Sequence, residues 1–315
     1  MKIGVDIGGT NLVAGLVDDN FNLLYKADTP SLPKRPDVEI VDDIIMLCKK
    51  IMSDNNLAEK DIDSIGIGIP GGNDPKTGVI LYCANINFLN TPIVKMIQDK
   101  INVPIFLGND ADCAALGEAY AGVTKDCNDS VMITIGTGIG GGIIINKKIY
   151  SGFNHIGGEL GHMVIVSGGE KCGCGRNGCW EAYGSATALI RQTGEAIEKN
   201  PDSILAKLAE GDIGKVNGKT AFDAMRMGCP TGKAVVDKYI EYFSTGLTNI
   251  INIFQPEKIV IGGGISKEGQ PFIDAIMKHV SNERYGKTND LPKTTIHTAL
   301  LGNDAGIIGA AALGK

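Results

Sequence analysis

The chain contains no run of five basic residues, and its 30 Lys and Arg are outnumbered by 36 Asp and Glu, giving a net charge of −6. Holding nucleic acid without regard to sequence needs clustered cations, so that partner is not expected. Nowhere do about 18 apolar residues follow one another uninterrupted, as a membrane-spanning helix requires. The opening residues MKIGVDI form a strand pattern from the start, with no cationic leader and no apolar signal core before them. A cytoplasmic location is the expectation. A P-loop is also missing, because neither Gly218-Lys219-Thr220 nor Gly286-Lys287-Thr288 has the required glycine five residues ahead.

What the chain has in excess is glycine, 43 of 315 residues, which implies many tight turns and backbone that approaches ligands closely. Its length exceeds what one hydrophobic core usually supports, so two lobes of about 150 residues are expected. Residues 2–7, 12–17 and 21–26 read as an antiparallel meander. Asp37 is placed to cap a helix whose Val38, Val41, Ile44, Ile45, Cys48 and Ile51 share one face. Buried strands at 64–69 and 104–107 flank a helix near 92–101, and a helix follows at 111–120. From Val131 the opening pattern returns as a strand, a glycine turn over 136–142 and a second strand, which suggests two similar lobes with a cleft between them. A long helix over 233–254, a strand over 258–261 and a small-residue helix over 304–313 complete the reading.

Two G-x-G-x-x-G matches, at Gly66-Gly68-Gly71 and Gly136-Gly138-Gly141, lack the helix that a dinucleotide site needs directly behind the glycines. A Rossmann oxidoreductase is therefore not expected. The stretch from Asp6 through Gly8, Gly9 and Thr10 to Asn11 offers a different phosphate cradle, a hairpin whose glycines expose backbone N–H groups, with Asp6 able to hold hydrated Mg2+. Alone it reads rather as an ordinary hairpin with a solvated Asp. A second glycine-and-hydroxyl turn at Gly136, Thr137 and Gly138 favours the cradle, since two opposed hairpins can hold a triphosphate. Gly262, Gly263 and Gly264 at a strand end let backbone pass close to adenine and ribose. Asp110 stands at a strand-to-helix junction and is the candidate general base, although an Asp there can also simply cap the helix.

Residues 153–181 have little periodicity and hold His162, Cys172, Cys174 and Cys179 in the spacing H-x9-C-x-C-x4-C. Three thiols and an imidazole form a closed tetrahedral zinc set, so this metal would brace the loop rather than activate water. The other five cysteines are scattered, as buried reduced thiols would be. Glu159 and Glu181 flank the cluster, and paired carboxylates accept hydrogen bonds from vicinal hydroxyls such as a sugar presents. His162 can bind the metal through one ring nitrogen and touch the sugar through the other.

With DIGGT at 6–10, GND at 108–110, GTGIGGG at 136–142, ELGH at 159–162 and CGCGRNGCWE at 172–181, the chain resembles the ROK family (repressors, open reading frames, kinases) over its whole length. The resemblance is strongest to that family's glucose-phosphorylating members. It implies an α/β, two-lobed actin/hexokinase-like ATPase fold, related to ribonuclease H, with Mg-ATP and a sugar meeting in an interlobe cleft. The smaller lobe is expected to comprise 1–119 plus 303–315, and the larger one 120–302 with the zinc-bearing insertion 153–181. Asp110 is then the base, and Asn85, Asn109, Glu159, His162 and Glu181 contact sugar hydroxyls. Glucose is the expected acceptor and ATP the donor. Mannose, fructose or an N-acetylhexosamine, a polyphosphate or ADP donor, and a non-catalytic sugar sensor stay open. Trp180 stands where the family commonly has Leu, and a homodimer is expected. The family's repressors carry an N-terminal helix-turn-helix ahead of the first hairpin, whereas DIGGT begins here almost at Met1.

Overall fold

The computed structural model describes residues 1–83, 85–288 and 290–315. A first meander, β1 (Lys2–Ile7), β2 (Asn11–Val17) and β3 (Leu23–Pro30), runs antiparallel, and β3 lies later than the expected 21–26 because Phe21 adopts positive φ in the connecting turn. Helix α1 (Asp37–Asp54) follows. Val41, Ile44, Ile45, Cys48 and Ile51 of its apolar face are buried as the spacing predicts, but Val38, in the first turn, is exposed, and Pro36 occupies the capping position. Asp37 is the first helical residue instead, and one of its carboxylate oxygens accepts the Thr91 hydroxyl at 2.6 Å.

Strand β4 (Ser64–Ile69) lies beside β1, and a small antiparallel sheet comes next: β5 (Gly72–Asp74), β6 (Val79–Tyr82) and β7 (Leu89–Thr91). These three short strands carry too few alternating residues to be read from the sequence. Helix α2 (Ile93–Gln98), strand β8 (Ile105–Asn109) and helix α3 (Asp110–Ala121) complete this region. The main sheet has the order β3-β2-β1-β4-β8, with β4 parallel to both β1 and β8. Strands β1 and β4 are buried along almost their whole length, as expected of strands covered on two sides.

A second five-stranded sheet has the order β11-β10-β9-β12-β13, formed by β9 (Ser130–Ile135), β10 (Ile139–Ile145), β11 (Lys148–Ile149), β12 (Lys258–Gly263) and β13 (Thr295–Thr298). Because β10 already begins at Ile139, the glycine turn spans only 136–138, and Gly140, Gly141 and Gly142 are strand residues. At Gly142 a Cβ would lie 2.6 Å from the Ala111 carbonyl, so glycine is required there by close packing rather than by the turn. The helices are α4 (Glu181–Gly184), α5 (Ala186–Lys199), α6 (Ile204–Leu208), α7 (Thr220–Arg226), α8 (Pro230–Phe254), α9 (Gln270–Glu283) and α10 (Ala305–Ala312). Among the described residues, no helix is long and apolar enough to cross a membrane.

The chain divides into two compact units. One contains Met1–Met132, Gly141–Gly158 and Ala299–Lys315; the other contains Ile133–Gly140 and Glu159–Thr298. In the first unit, α10 packs backbone to backbone. A Cβ on Gly4 would fall 1.8 Å from the Ile307 carbonyl oxygen, one on Gly66 1.7 Å from that of Ala310, and one on Gly309 1.6 Å from that of Cys113. The fully buried carboxylate of Glu118 on α3 reinforces the arrangement by accepting the backbone N–H groups of Val123, Leu300 and Leu301, each at 2.9 Å. In the second unit, α8 lays Tyr239 and Phe243 against Phe222 and Phe272, and Trp180 packs on Phe243 with ring centroids 5.1 Å apart.

No flexible side-chain end can yield at these glycine contacts. Gly309→Ala is expected to cost about 3 kcal/mol or more, measured as a lowered thermal or urea midpoint, whereas Gly9→Ala, whose Cβ meets nothing within 4 Å, should leave that midpoint nearly unchanged.

Candidate active site and metal centre

The parallel strands β1, β4 and β8 end on one edge of the first sheet. Asp6 pairs with Gly68, and Gly68 with Gly108, so Asp6 and the end of β8 are aligned across a glycine. Ligand sites in α/β sheets lie at such carboxyl ends, where loops leave the strands. The strand turns directly into α3, and Asn109 makes the cap: its side chain accepts the N–H groups of Ala111 at 2.9 Å and Asp112 at 3.3 Å. Asp110 is the first helical residue, so the alternative of a simple capping Asp falls to its neighbour. Its carboxylate accepts the local Ala111 N–H at 2.9 Å.

Asp6 and Asp110 lie close enough to repel. Burial, together with the charge of Asp110, pushes the Asp6 carboxyl up to about 6, and burial likewise raises that of Asp110. Neither forms an ion pair among the described residues. Two half-buried acids without a countercharge suit a cation or a cationic complex, so the pair fits hydrated Mg2+. The first hairpin stands alongside, with Gly8 donating its N–H to the Asn11 carbonyl at 2.9 Å while Gly9, Thr10 and Asn11 are exposed. Asn85, expected to touch sugar, is an exposed residue just beyond β6. All of these residues belong to the first unit.

The second unit gathers the remaining expected residues. Ligand atoms of His162, Cys172, Cys174 and Cys179 all lie within 4.8 Å of one another, with Cys172 Sγ 3.6 Å from His162 Nδ1 and Cys174 Sγ 3.7 Å from Cys179 Sγ. A tetrahedral ion about 2.3 Å from sulfur and about 2.0 Å from nitrogen needs edges of about 3.8 Å and about 3.6 Å. The residues present therefore fit one four-coordinate metal ion. Burial pushes the Cys172 thiol up to about 12, while the Arg176 backbone N–H holds that of Cys174 down; a bound cation favours thiolate at every position. The loop has little regular structure of its own, only a single turn of 3₁₀ helix over Leu160–His162 and isolated bridges between Val164 and Cys179 and between Lys171 and Asn177.

Glu181 joins this cluster to the second glycine hairpin. One of its carboxylate oxygens accepts the Cys172 thiol at 3.5 Å, and the other accepts the Ile139 N–H at 3.0 Å. A Cβ on Gly138 would stand 2.2 Å from the same carboxylate, which explains a glycine there besides any phosphate contact. Glu159 is exposed at the start of the 3₁₀ turn, where its carbonyl accepts the His162 N–H at 3.1 Å. Gly264 donates to the Ile135 carbonyl at 3.2 Å, and Gly263 has a φ of 91°. These contacts hold the 262–264 glycines next to the strand that enters the second hairpin.

Sequence reasoning missed how Trp180 is seated. The indole, the chain's sole tryptophan, is fully buried against Gly246 of α8, where a Cβ would lie 2.1 Å from the ring. It thereby anchors the short helix that begins with Glu181. The signal, a glycine at 246 on the apolar face of an amphipathic helix, is visible in the sequence but does not name its partner.

Residues 2–315 match the ROK family. The chain belongs to the ROK family. It is 35% identical to a glucokinase of Streptomyces coelicolor, covering 100% of this chain and 98% of that protein, and 33% identical to a glucokinase of Halalkalibacterium halodurans over 99% and 94%. Among solved structures it is similar to a ROK glucokinase of Streptomyces griseus crystallised with glucose and AMPPNP, at 32% identity and a TM-score of 0.81, covering 99% and 98% of the two chains. The actin/hexokinase-like fold expected from the motifs is the fold observed.

The Asp6 shift yields a test in the metal-free protein. A carboxyl raised in the folded state from 3.8 to about 6 binds its proton more tightly folded than unfolded. Its burden on stability is absent below about pH 4, grows as pH rises through about 6, and then stays at a few kcal/mol. Asp6→Asn should therefore raise the melting temperature at pH 7.5 and have little effect near pH 4, and Mg2+ should narrow the difference at pH 7.5. Equal melting temperatures at pH 7.5 would contradict the assignment.

Proposed function

We propose that this chain is a cytoplasmic sugar kinase that transfers the γ-phosphoryl group of ATP to the 6-hydroxyl of a hexose, with glucose as the preferred sugar. The observation that carries this reading is the Asp6–Asp110 pair, two carboxylates that lie at the carboxyl ends of the sheet strands, repel one another and form no ion pair among the described residues. Asp110, freed from capping by Asn109, accepts the hydroxyl proton as the sugar oxygen bonds to phosphorus and the bond to the departing ADP breaks. Its raised affinity for a proton suits a group that must take one up. Mg2+ held through water by Asp6 supplies neutralising charge. The glycine N–H groups at 8–11 and 136–138 orient the phosphates, and those at 262–264 lie along adenine and ribose. Asn85, Asn109, Glu159, His162 and Glu181 bind the sugar hydroxyls and fix which oxygen faces Asp110.

The metal is zinc in this reading, supported by a donor set of three thiols and one imidazole at tetrahedral spacing. With all four positions taken by protein, it orders the loop that carries Glu159 and Glu181. Reduced thiols held for a metal accord with a reducing compartment, which supports the cytoplasmic placement. The two-lobe organisation, with 303–315 in the N-terminal lobe, is supported by the return of Ala299–Lys315 to the first unit. A homodimer completes the proposal.

The decisive experiment offers glucose, mannose, fructose and N-acetylhexosamines with ATP, ADP or polyphosphate and detects the sugar phosphate directly. Glucose 6-phosphate formed from ATP is expected, and no sugar phosphate from any pair would remove the enzymatic reading. Asp110→Asn should lower kcat by at least about a thousandfold while glucose still binds, and unchanged turnover would remove Asp110 as base. Elemental analysis should find one zinc per chain. Cys174→Ser or chelation should raise the KM for sugar at least tenfold with a smaller effect on the KM for ATP, the pattern of a brace for the sugar-binding carboxylates alone.

A further inference from the structure

Within the second unit, outside the residues assigned above, α5 and α8 border a cavity of about 360 Å³. That volume lies at the small end of ligand pockets, which run from about 300 to 1,000 Å³, and suits a phosphorylated monosaccharide better than a nucleoside triphosphate. We propose that this cavity is an effector site for a sugar phosphate, the chemical class of the product; the inference rests on the kinase reading above.

The two ends of the cavity differ in chemistry. At one end the Tyr183 and Tyr242 rings meet at a tilt of 46° with centroids 4.6 Å apart, and Glu170 and Glu195 converge on Arg191, whose Nη1 lies 3.6 Å and 2.5 Å from them. Aromatic faces beside paired carboxylates suit a sugar ring, whose C–H face is apolar and whose hydroxyls donate. At the other end α5 runs out at Lys199 and Asn200, opposite Thr231 in the first turn of α8. Lys199 forms no ion pair among the described residues, so its charge is free for an anion. Lys238 lines the same cavity but already pairs with Glu241 at 2.8 Å and sits over the Tyr242 ring. A hydroxylated ring at the tyrosine end with its phosphate at Lys199 satisfies both ends, and a bare anion satisfies only one.

The cavity wall also holds the helix that begins with Glu181. Arg191 Nη2 donates to the Ala182 carbonyl at 3.1 Å, Gln192 Nε2 donates to the Tyr183 carbonyl at 2.9 Å, and the Tyr183 hydroxyl accepts the Glu170 N–H at 2.7 Å. Glu170 in turn lies two residues before the metal ligand Cys172. A ligand that draws on Arg191 or Glu170 therefore acts on the mounting of Glu181 and the metal loop without touching sugar or ATP. Occupancy is expected to weaken the grip on sugar, which makes the device a feedback brake.

The test is calorimetric titration of glucose 6-phosphate into the full chain saturated with glucose, with Lys199→Glu as the variant. Lys199 is exposed and packs in no core, so the variant should fold and keep the kcat and both KM values measured without product. One equivalent of glucose 6-phosphate is expected to bind despite saturating glucose, at least tenfold more weakly in Lys199→Glu. The part of product inhibition that glucose cannot relieve should vanish in the same variant. Absence of binding under saturating glucose overturns the proposal, as does binding that Lys199→Glu leaves intact. Inorganic phosphate binding there as tightly as glucose 6-phosphate also overturns it, because the cavity would then be a simple anion site. Turnover is not needed for the titration: a chain that phosphorylates glucose but shows no second site defeats this inference alone, and a chain with no kinase activity defeats the functional reading instead.

Discussion

The first unit depends on backbone-to-backbone contact. Helix α10 approaches β1, β4 and α3 so closely that carbonyl oxygens occupy the places of absent side chains at Gly4, Gly66 and Gly309. A second glycine on the helix, Gly306, comes within 2.8 Å of an Asp6 oxygen at its imaginary Cβ. The same packing that closes the core therefore presses on the carboxylate nearest the candidate base and removes water from it. Desolvation at Asp6 is a consequence of how the last helix is seated, and the burial that makes this edge of the sheet unstable as an anion pair makes it receptive to a cation.

The second unit solves a different problem. Residues 159–181 cannot bury an apolar face, so order has to come from point contacts. Four side chains placed to hold one metal ion supply one set. Trp180, pressed into the notch left by Gly246, supplies another, and Glu181, two residues after Cys179, supplies a third by accepting the Ile139 N–H; its contact with the protonated Cys172 thiol belongs to the metal-free state. Through that last residue the cysteine loop and the second glycine hairpin are tied together within the unit.

Much of this was legible from residues close together in the chain. The hairpin DIGGT, the strand-to-helix junction at Asp110 and the H-x9-C-x-C-x4-C spacing are local patterns whose chemistry does not depend on distant partners. Reading failed where an element was short or where neighbours compete. The β5, β6 and β7 strands have three or four residues each, too few for a period to register. Asp37 and Asn109 show the limit of capping rules, since Pro36 displaces the acid in one case and Asn109 displaces Asp110 in the other. The glycines at 140–142 read as a turn because the sequence does not show that Ala111 and Ala115 lie against Gly142.

The sequence by itself determined the family, the two glycine hairpins, the cysteine–histidine cluster and the carboxylate at 110, because each is a matter of residue type at fixed local spacing. Only the tertiary structure decided that Asp6 and Asp110 repel one another, that Glu118 ties α3 to the segment entering α10, that Trp180 needs Gly246, and that α5 and α8 leave a charged cavity behind Glu181. Those facts are separations between residues far apart in the chain. Such separations set desolvation and Coulomb energy, and they exist only once the chain has packed.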